Sequence, residues 1–456
     1  MRRSLVPIVF LVSLLVFSSF AFAQTRTLNL LGISGWTPSE LALKMAPAFE
    51  EYAREKLGYE VRVTADFAPF TALYEKAAAA LAARSSQYDI IISDSQWLGA
   101  FAEPGHLIQL NEFFETDPVF KSIFETMYPE HITAYMPYPD HSDTYWGFPQ
   151  VGDNLVMYVR KDLLEDPKEQ ADFEAKYGYP LPQTYEDFAQ LDWDTFVDLM
   201  EFFTRPPELY GFAGEYSKEY DFMSGHAMSM IWTWGGDIID WDTYRVNGVI
   251  NSPEANEAME FYRDILKYQP PGAITYGIDQ VINALATGQV FAGITWAAVG
   301  ASIFDPSISV VHDKLMVVLP PGKLIDGELN RLYCVGGQSW VISKYSENKD
   351  VALDFMRWWY QPETQMEFAR LGGLPVVRSI IDTEEFLSMQ PWHRAYKDMI
   401  PLSLDFWHLP NYAELLQIQQ EEWTAFVADS RITAKQAHDN IARRQEMVLR
   451  RDGFLK

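Results

Sequence analysis

Four short segments of this sequence carry flat rings, amides and carboxylates, three of them with glycine. They are Asp94-Ser95-Gln96-Trp97, Trp232-Thr233-Trp234-Gly235-Gly236-Asp237, Gly293-Ile294-Thr295-Trp296 and Gly336-Gly337-Gln338. Such a set suits a neutral sugar. The C–H faces of a sugar ring are apolar and stack on aromatic side chains, whereas its hydroxyls ask for Asp, Asn, Gln or Arg partners. A carboxylate that reads two hydroxyls makes charge-assisted hydrogen bonds, roughly twice as strong as neutral ones. Glycines beside these groups let a ligand approach the backbone closely. On this ground Trp234, Asp237, Trp296, Gly337 and Gln338 are candidate contacts. Core packing explains any single tryptophan equally well, so the set carries the reading and no one member does.

Other chemistries are poorly represented. The sequence has no G-x-S-x-G elbow, no phosphate-binding glycine loop, no dinucleotide fingerprint and no H-E-x-x-H pair. None of its 8 histidines lies three or four residues from another, so no helical metal pair exists. Its one cysteine, Cys334, excludes an internal disulfide and any Cys-rich metal site. No cofactor and no metal are expected. A net charge of −27 repels polyanions, which excludes nucleic acid as a partner. Hydrophobic residues at 48% and charged residues at 22% fit a globular chain rather than a disordered one. Aromatic residues reach 15%, more than a core alone requires.

The elements that must position these groups alternate. Leu28 to Ile33 reads as a buried strand, and Thr37-Pro38-Ser39-Glu40 as a capped helix start with proline at its first turn. That helix should reach about Lys56, before Gly58. Glu60 to Val63 and Asp89 to Ser93 read as strands flanking an alanine-rich helix at Leu73 to Arg84. This alternation predicts the α/β class with parallel strands. Ligands of such sheets sit beyond the C-terminal strand ends. Trp36, Phe67 and the loop carrying Asp94 and Gln96 therefore converge on one rim. Strands are further expected at Leu155–Val159, Val290–Trp296, Lys314–Leu319 and Leu332–Ser343, with a mostly helical chain after Glu347. The polar segment Asp166 to Gln190 reads as an exposed insertion.

Met1-Arg2-Arg3, the apolar run Leu5 to Phe20 and the small residues of Ala21-Phe22-Ala23 form a signal-peptide pattern cleaved near Ala23. The apolar run is shorter than the ~20 residues that span a bilayer. No cysteine near the cleavage point offers a lipid anchor. The chain is expected to be exported.

Taken in order, Tyr88–Trp97, Phe101–Ile108, Tyr145–Pro149, Arg160–Leu163, Trp234–Asp237, Asn283–Gly288, Trp296, Gly336–Ser343 and Ala352–Met356 resemble a known set. The chain is similar to family 1 extracellular solute-binding proteins, the carbohydrate-binding components of ABC importers related to maltose-binding protein. The resemblance implies a two-lobed periplasmic-binding-protein fold of the type II kind, with a hinge and a cleft between lobes. After the signal peptide at 1–23, lobe 1 would comprise 24–149 plus about 320–365, and lobe 2 150–319 plus about 366–456. The hinge crossings would fall near Phe148–Asp153 and Val318–Gly322. The family's sugar contacts would map onto Asp94, Gln96, Asp153, Trp296 and Tyr412, and further onto Trp36, Trp234, Asp237 and Gln338. The resemblance also implies the periplasm as its compartment. The implied partners are a neutral sugar and an ABC permease in the inner membrane, with the chain acting as a monomer and not as an enzyme. Two alternatives stay open. A secreted glycoside hydrolase would use a carboxylate pair such as Asp94 and Asp153. An amino-acid or peptide binder would need a cation such as Arg370 or Arg378 for the carboxylate.

Overall fold

A computed structural model describes residues 25–456 of the chain; the signal-peptide reading at 1–23 lies outside the described residues. The strands in chain order are β1 (Arg26–Ile33), β2 (Val61–Ala68), β3 (Ile90–Asp94), β4 (Gly147–Arg160), β5 (Tyr210–Ala213) and β6 (Val290–Trp296). They continue with β7 (Leu315–Val318), β8 (Lys323–Ile325), β9 (Glu328–Asn330), β10 (Tyr333–Ile342) and β11 (Ser403–Leu404). All but the β8–β9 hairpin join one sheet of order β2-β1-β3-β10-β4-β6-β5, with β7 on β4 and β11 on β10.

The first three strands form the parallel unit that the alternating pattern predicts. β1 pairs β2 from Arg26↔Val61 to Ile33↔Ala68 and takes β3 on its other edge. β2 runs further than the sequence suggests, because β1 offers it a partner along its whole length. The helix Thr37–Tyr52 starts at Trp36 without a side-chain cap, and Glu40 instead accepts the backbone N–H of Gly35 at 3.0 Å. It passes through Pro47 and ends in a π-helical turn, Ala53–Leu57, which Gly58 closes with φ 79°. That left-handed conformation costs glycine little.

β4 is fourteen residues long and buried except at its last residue. Its first half pairs antiparallel with β10, Val341↔Gly147 to Val335↔Asn154, and its second half pairs with β6 and β7. Burial on both faces matches its run of Val, Leu, Met and Tyr. β10 lies between β3 and β4, placing Gln338 opposite Asp94 and Gly336 opposite Asp153. Gly337 has φ 85°, and a Cβ there would strike the Val151 carbonyl oxygen. Only glycine lets the two strands close at this point.

Residues 319–322 stay with the β4–β6 side: Gly322 donates to the carbonyl of Leu191 and accepts from the N–H of Trp193. The chain rejoins β3 only at β10, after the β8–β9 hairpin. The segment Asp166 to Gln190 differs from a bare exposed insertion. It holds the helices Pro167–Tyr177 and Tyr185–Ala189, fixed by the fully buried rings of Phe173 and Phe188. The C-terminal helices Tyr412–Ala428 and Ala434–Arg451 pack on each other and, through the first, on the helix Phe222–Thr233. Among the described residues no helix is long and apolar enough to cross a membrane.

Candidate functional site

The C-terminal ends of β1 and β3, the changeover of β4, the end of β6 and the glycine turn of β10 meet around one small cavity. Its space is about 40 Å³, and among its lining residues are Trp36, Asp94, Gln96, Asp153, Trp296, Gly337 and Gln338. These seven candidates lie up to 302 residues apart in sequence and come together here. Trp36 Nε1 donates to Gln338 Oε1 at 2.8 Å, fixing the ring's tilt. A Cβ at Gly336 would come within 2.7 Å of the Trp296 ring, so that glycine makes room for the indole.

The cavity is narrow because side chains from its two sides meet across it. Gln96, just after β3, donates through Nε2 to Asp221 at 2.7 Å. The Tyr220 hydroxyl donates to the Asp94 carboxylate, and the Tyr220 ring packs on Phe70 with centroids 5.0 Å apart. Phe70 in turn meets Trp36 edge-on at 5.5 Å. Two wider spaces of about 440 Å³ each flank the narrow one. One shares Val335 and Phe406 with it and is walled by Trp232, Trp241 and His141. The other shares Trp36, Phe70, Phe222 and Ile278. The three form one cleft with a constriction at its middle.

Acidity concentrates at that constriction. Asp94, Asp153 and Asp221 all line it and are at most 8% exposed. Burial pushes all three carboxyls upward. Neighbouring carboxylates add to this: Asp221 and Asp405 act on Asp94, and Glu215 and Asp405 on Asp221, while the Gln96 bond opposes the shift. Asp153 is raised to about 8 by burial, although the N–H groups of Ala298 and Asn154 pull it down. Those two groups donate to Oδ1 at 3.0 and 2.9 Å, while Oδ2 has no partner. Gln96 Oε1 is likewise buried without one. Both acceptors lie among the acidic residues of the constriction, where a donor from a ligand would satisfy them. No Lys or Arg lines the constriction or either flanking space.

Four sequence candidates lie elsewhere. Phe67 stands on β2 with its ring over Gly32, against the strand rather than in the constriction. Trp234 is core: its ring packs on Phe261 at 4.9 Å and is capped by Lys323 Nζ at 5.3 Å. Asp237 accepts from Trp232 Nε1 at 3.1 Å and lines the flanking space beside Trp232. Tyr412 is buried edge-on against Tyr74 at 5.3 Å, behind Asp94 and Asp221. The residues the sequence reading missed are Phe70, Tyr220, Asp221, Phe222 and Phe406. Tyr220-Asp221-Phe222 is a ring–acid–ring triplet leading into the helix Phe222–Thr233, the same signature used for the other loops but lacking a glycine. The cations once considered for a carboxylate ligand are remote: Arg370 pairs with Glu385 at 3.0 Å, and Arg378 with Asp382 at 3.0 Å, on the surface.

Among the described residues no group of three or more His, Cys, Asp or Glu is placed to hold a metal ion. Residues 36–366 match the family described as bacterial extracellular solute-binding protein. The chain belongs to this family. Three solved structures share the fold. Maltose-bound MalE3 of T. maritima aligns with a TM-score of 0.75 at 20% identity, covering 93% of this chain and 100% of that one. A ribitol-bound solute-binding protein of Agrobacterium radiobacter K84 gives 0.74 at 20% identity, covering 93% and 99%. A solute-binding protein of Thermotoga lettingae bound with α-D-tagatose gives 0.74 at 21% identity, covering 93% and 100%. A curated relative from Sinorhizobium fredii, a probable amino-acid ABC transporter periplasmic-binding protein, is 27% identical over 191 residues. That alignment spans 41% of this chain and 41% of the relative's own length.

Proposed function

We propose that this chain captures a sugar or sugar alcohol outside the cytoplasm, closing two lobes on it, and hands it to the permease of an ABC importer. The observation that carries the reading is the constricted cleft. Rings of Trp36, Phe70, Tyr220 and Trp296 and acceptors of Asp94, Gln96 and Asp153 converge there from β1–β3 on one side and β4–β6 on the other. Ring faces suit the C–H surfaces of a polyol, and the unpartnered acceptors suit its hydroxyls. The β1–β3 unit and the β5–β6 unit would be the cores of the two lobes, with β4 and β10 as the connections that bend. Closure by a ligand requires contacts that exist only when both lobes are engaged. The bonds Tyr220–Asp94 and Gln96–Asp221 already cross the gap, so a ligand that replaces them would hold the same closed form. The solved relatives with maltose, ribitol and tagatose support a hydroxyl-rich ligand by analogy of fold.

The amino-acid reading draws on the Sinorhizobium fredii relative's name. A ligand carboxylate at the constriction would face three acids with no Lys or Arg beside them, which disfavours it. A hydrolase would need an acid and a base facing each other across a glycosidic bond, whereas the family and the solved structures of like fold are binding proteins, which favours capture without cleavage. Thermal-shift and calorimetric screening of the purified chain against monosaccharides, disaccharides and sugar alcohols tests the proposal. Saturable binding with the ligand recovered intact is the expected result; no response across the panel, or cleavage of a glycan, would overturn it.

A further inference from the structure

The constriction poses a charge problem that a neutral polyol leaves unsolved. Asp94, Asp153 and Asp221 are 7%, 1% and 8% exposed, and none of them belongs to an ion pair among the described residues. The one imidazolium nearby, His408, is held by Asp140 and Asp405, and Glu215 is itself a buried acid whose Oε2 has no partner. Asp405 has His408 at 3.2 Å and the Ser95 hydroxyl at 3.1 Å. Glu215 has the Thr295 hydroxyl at 2.9 Å and His226 at 3.7 Å. The uncharged groups near them are Tyr135, whose hydroxyl accepts the Asp153 N–H at 3.3 Å, with Tyr158 and Tyr396 near Asp153 and Cys334 and Tyr412 near Asp94 and Asp221. Burying unpaired carboxylates costs several kcal/mol each unless a cation arrives or protons neutralise them. Protons can neutralise the carboxyls of the free protein, but Asp153 Oδ2 and Gln96 Oε1 are buried acceptors beside the cavity that still lack a donor, which a cation bearing N–H groups would satisfy.

Size gives a second, independent constraint. With the Tyr220–Asp94 and Gln96–Asp221 bonds in place, about 40 Å³ admits a group of one to three heavy atoms, whereas the flanking spaces of about 440 Å³ have the room a ring or an extended polyol needs. The walls of the small space are aromatic, with Trp36, Phe70, Tyr220 and Trp296 presenting rings. Ring faces attract cations, and more strongly where water is excluded. We propose that the ligand is a sugar or sugar alcohol bearing a protonated amino group, whose ammonium sits between the carboxylates of Asp94, Asp153 and Asp221 while its hydroxylated body occupies a flanking space. The proposal rests on the sugar-binding reading above and names its ligand class more narrowly. The ammonium supplies three N–H donors, which answers the unpartnered acceptors as well as the charge. A chain of net charge −27 also draws cations toward the cleft.

The test compares matched pairs by calorimetry on the purified chain: D-glucosamine with D-glucose, D-galactosamine with D-galactose, and 1-amino-1-deoxysorbitol with sorbitol. N-acetylglucosamine is a further control, keeping the nitrogen and losing its charge. At least one amine is expected to bind about tenfold or more tightly than its neutral counterpart. Asp153→Asn and Asp221→Asn should each shrink that ratio, whereas a purely structural defect would weaken both members of a pair alike. Circular dichroism and melting curves check that each variant is folded. If neutral sugars bind as tightly as the amines, or more tightly, the ammonium proposal falls and the sugar-binding reading stands. If putrescine or choline binds and no sugar does, the sugar-binding reading falls and takes the amino-sugar proposal with it. No heat from any member of the panel overturns both.

Discussion

Replacing Asp153 by asparagine should stabilise the ligand-free protein in alkaline solution and hardly at all in acid. Asp153 Oδ1 accepts two backbone N–H bonds and Oδ2 has no donor. An asparagine carbonyl keeps the two bonds, so the substitution removes a charge with little change of shape. Burial has raised this carboxyl from 3.8 to about 8. A carboxyl whose folded pKa exceeds its unfolded one binds its proton more tightly in the native state. It adds no penalty below pH 3.8 and a full penalty above pH 8, so native stability falls as pH climbs through that window. At about 1.4 kcal/mol per unit the ceiling is about 6 kcal/mol. Rearrangement and water entry reduce such penalties, leaving an expected effect of about 2 kcal/mol. Urea unfolding of the wild type and Asp153→Asn at pH 5 and pH 8 measures it. The difference between the two proteins should grow by about 1 kcal/mol in favour of the variant at the higher pH, since part of the penalty is already present at pH 5. An equal difference at both pH values, or a variant that is worse only at pH 8, would refute the electrostatic reasoning.

Other perturbations probe the neighbouring parts of the site. Burial alone would lower the pKa of His408, but Asp140 and Asp405 outweigh it and raise the imidazole to about 9. Its ion pairs therefore stabilise the fold below pH 6.5 and fade as pH rises through 9, so His408→Gln should cost about 3 kcal/mol at pH 6 and clearly less at pH 9.5 by urea unfolding. Gly337→Ala forces a side chain into φ 85° and onto the Val151 carbonyl. Loss of about 2 kcal/mol or more, with a matching drop in melting temperature, is expected. Trp296→Ala removes one ring from the constriction and should weaken ligand binding by roughly 1–3 kcal/mol in calorimetry, taking one lost ring stack as the measure. An unchanged affinity would remove Trp296 from the site.

The parts of the fold legible in the sequence were those with local signals. The β1–β3 unit follows from apolar runs separated by glycine turns and an alanine-rich helix, and its strand ends place Trp36 and Asp94 on one rim. Gly336 and Gly337 stand out in the sequence as glycines that would let a ligand approach, whereas in the structure their missing side chains make room for the Trp296 ring and the Val151 carbonyl. Trp234 and Trp296 share the same local pattern of ring beside glycine, yet one lies in the core against Phe261 and the other lines the cavity. That difference is set by long-range packing, which no short window contains. Asp221 was missed for a related reason: its role depends on Gln96, 125 residues away, and on a loop with no glycine to draw the eye. The polar composition of 166–190 concealed two helices because each buries only one ring, Phe173 or Phe188, too few apolar positions to set a visible period.

Closure on a ligand held between the two sides of the cleft is best measured as a distance. Thr71 and Asp279 both line the wider space next to Trp36 and Phe70, on the helices Phe70–Ala82 and Ile278–Ala286, both are exposed, and the single native cysteine, Cys334, is buried and should not react. Spin labels at Thr71→Cys and Asp279→Cys, read by pulsed dipolar spectroscopy, report whether the lobes move. A broad or longer distribution that narrows and shortens when a binding sugar or amino sugar is added is the predicted result. A distribution that stays the same while calorimetry registers saturation would contradict capture by closure.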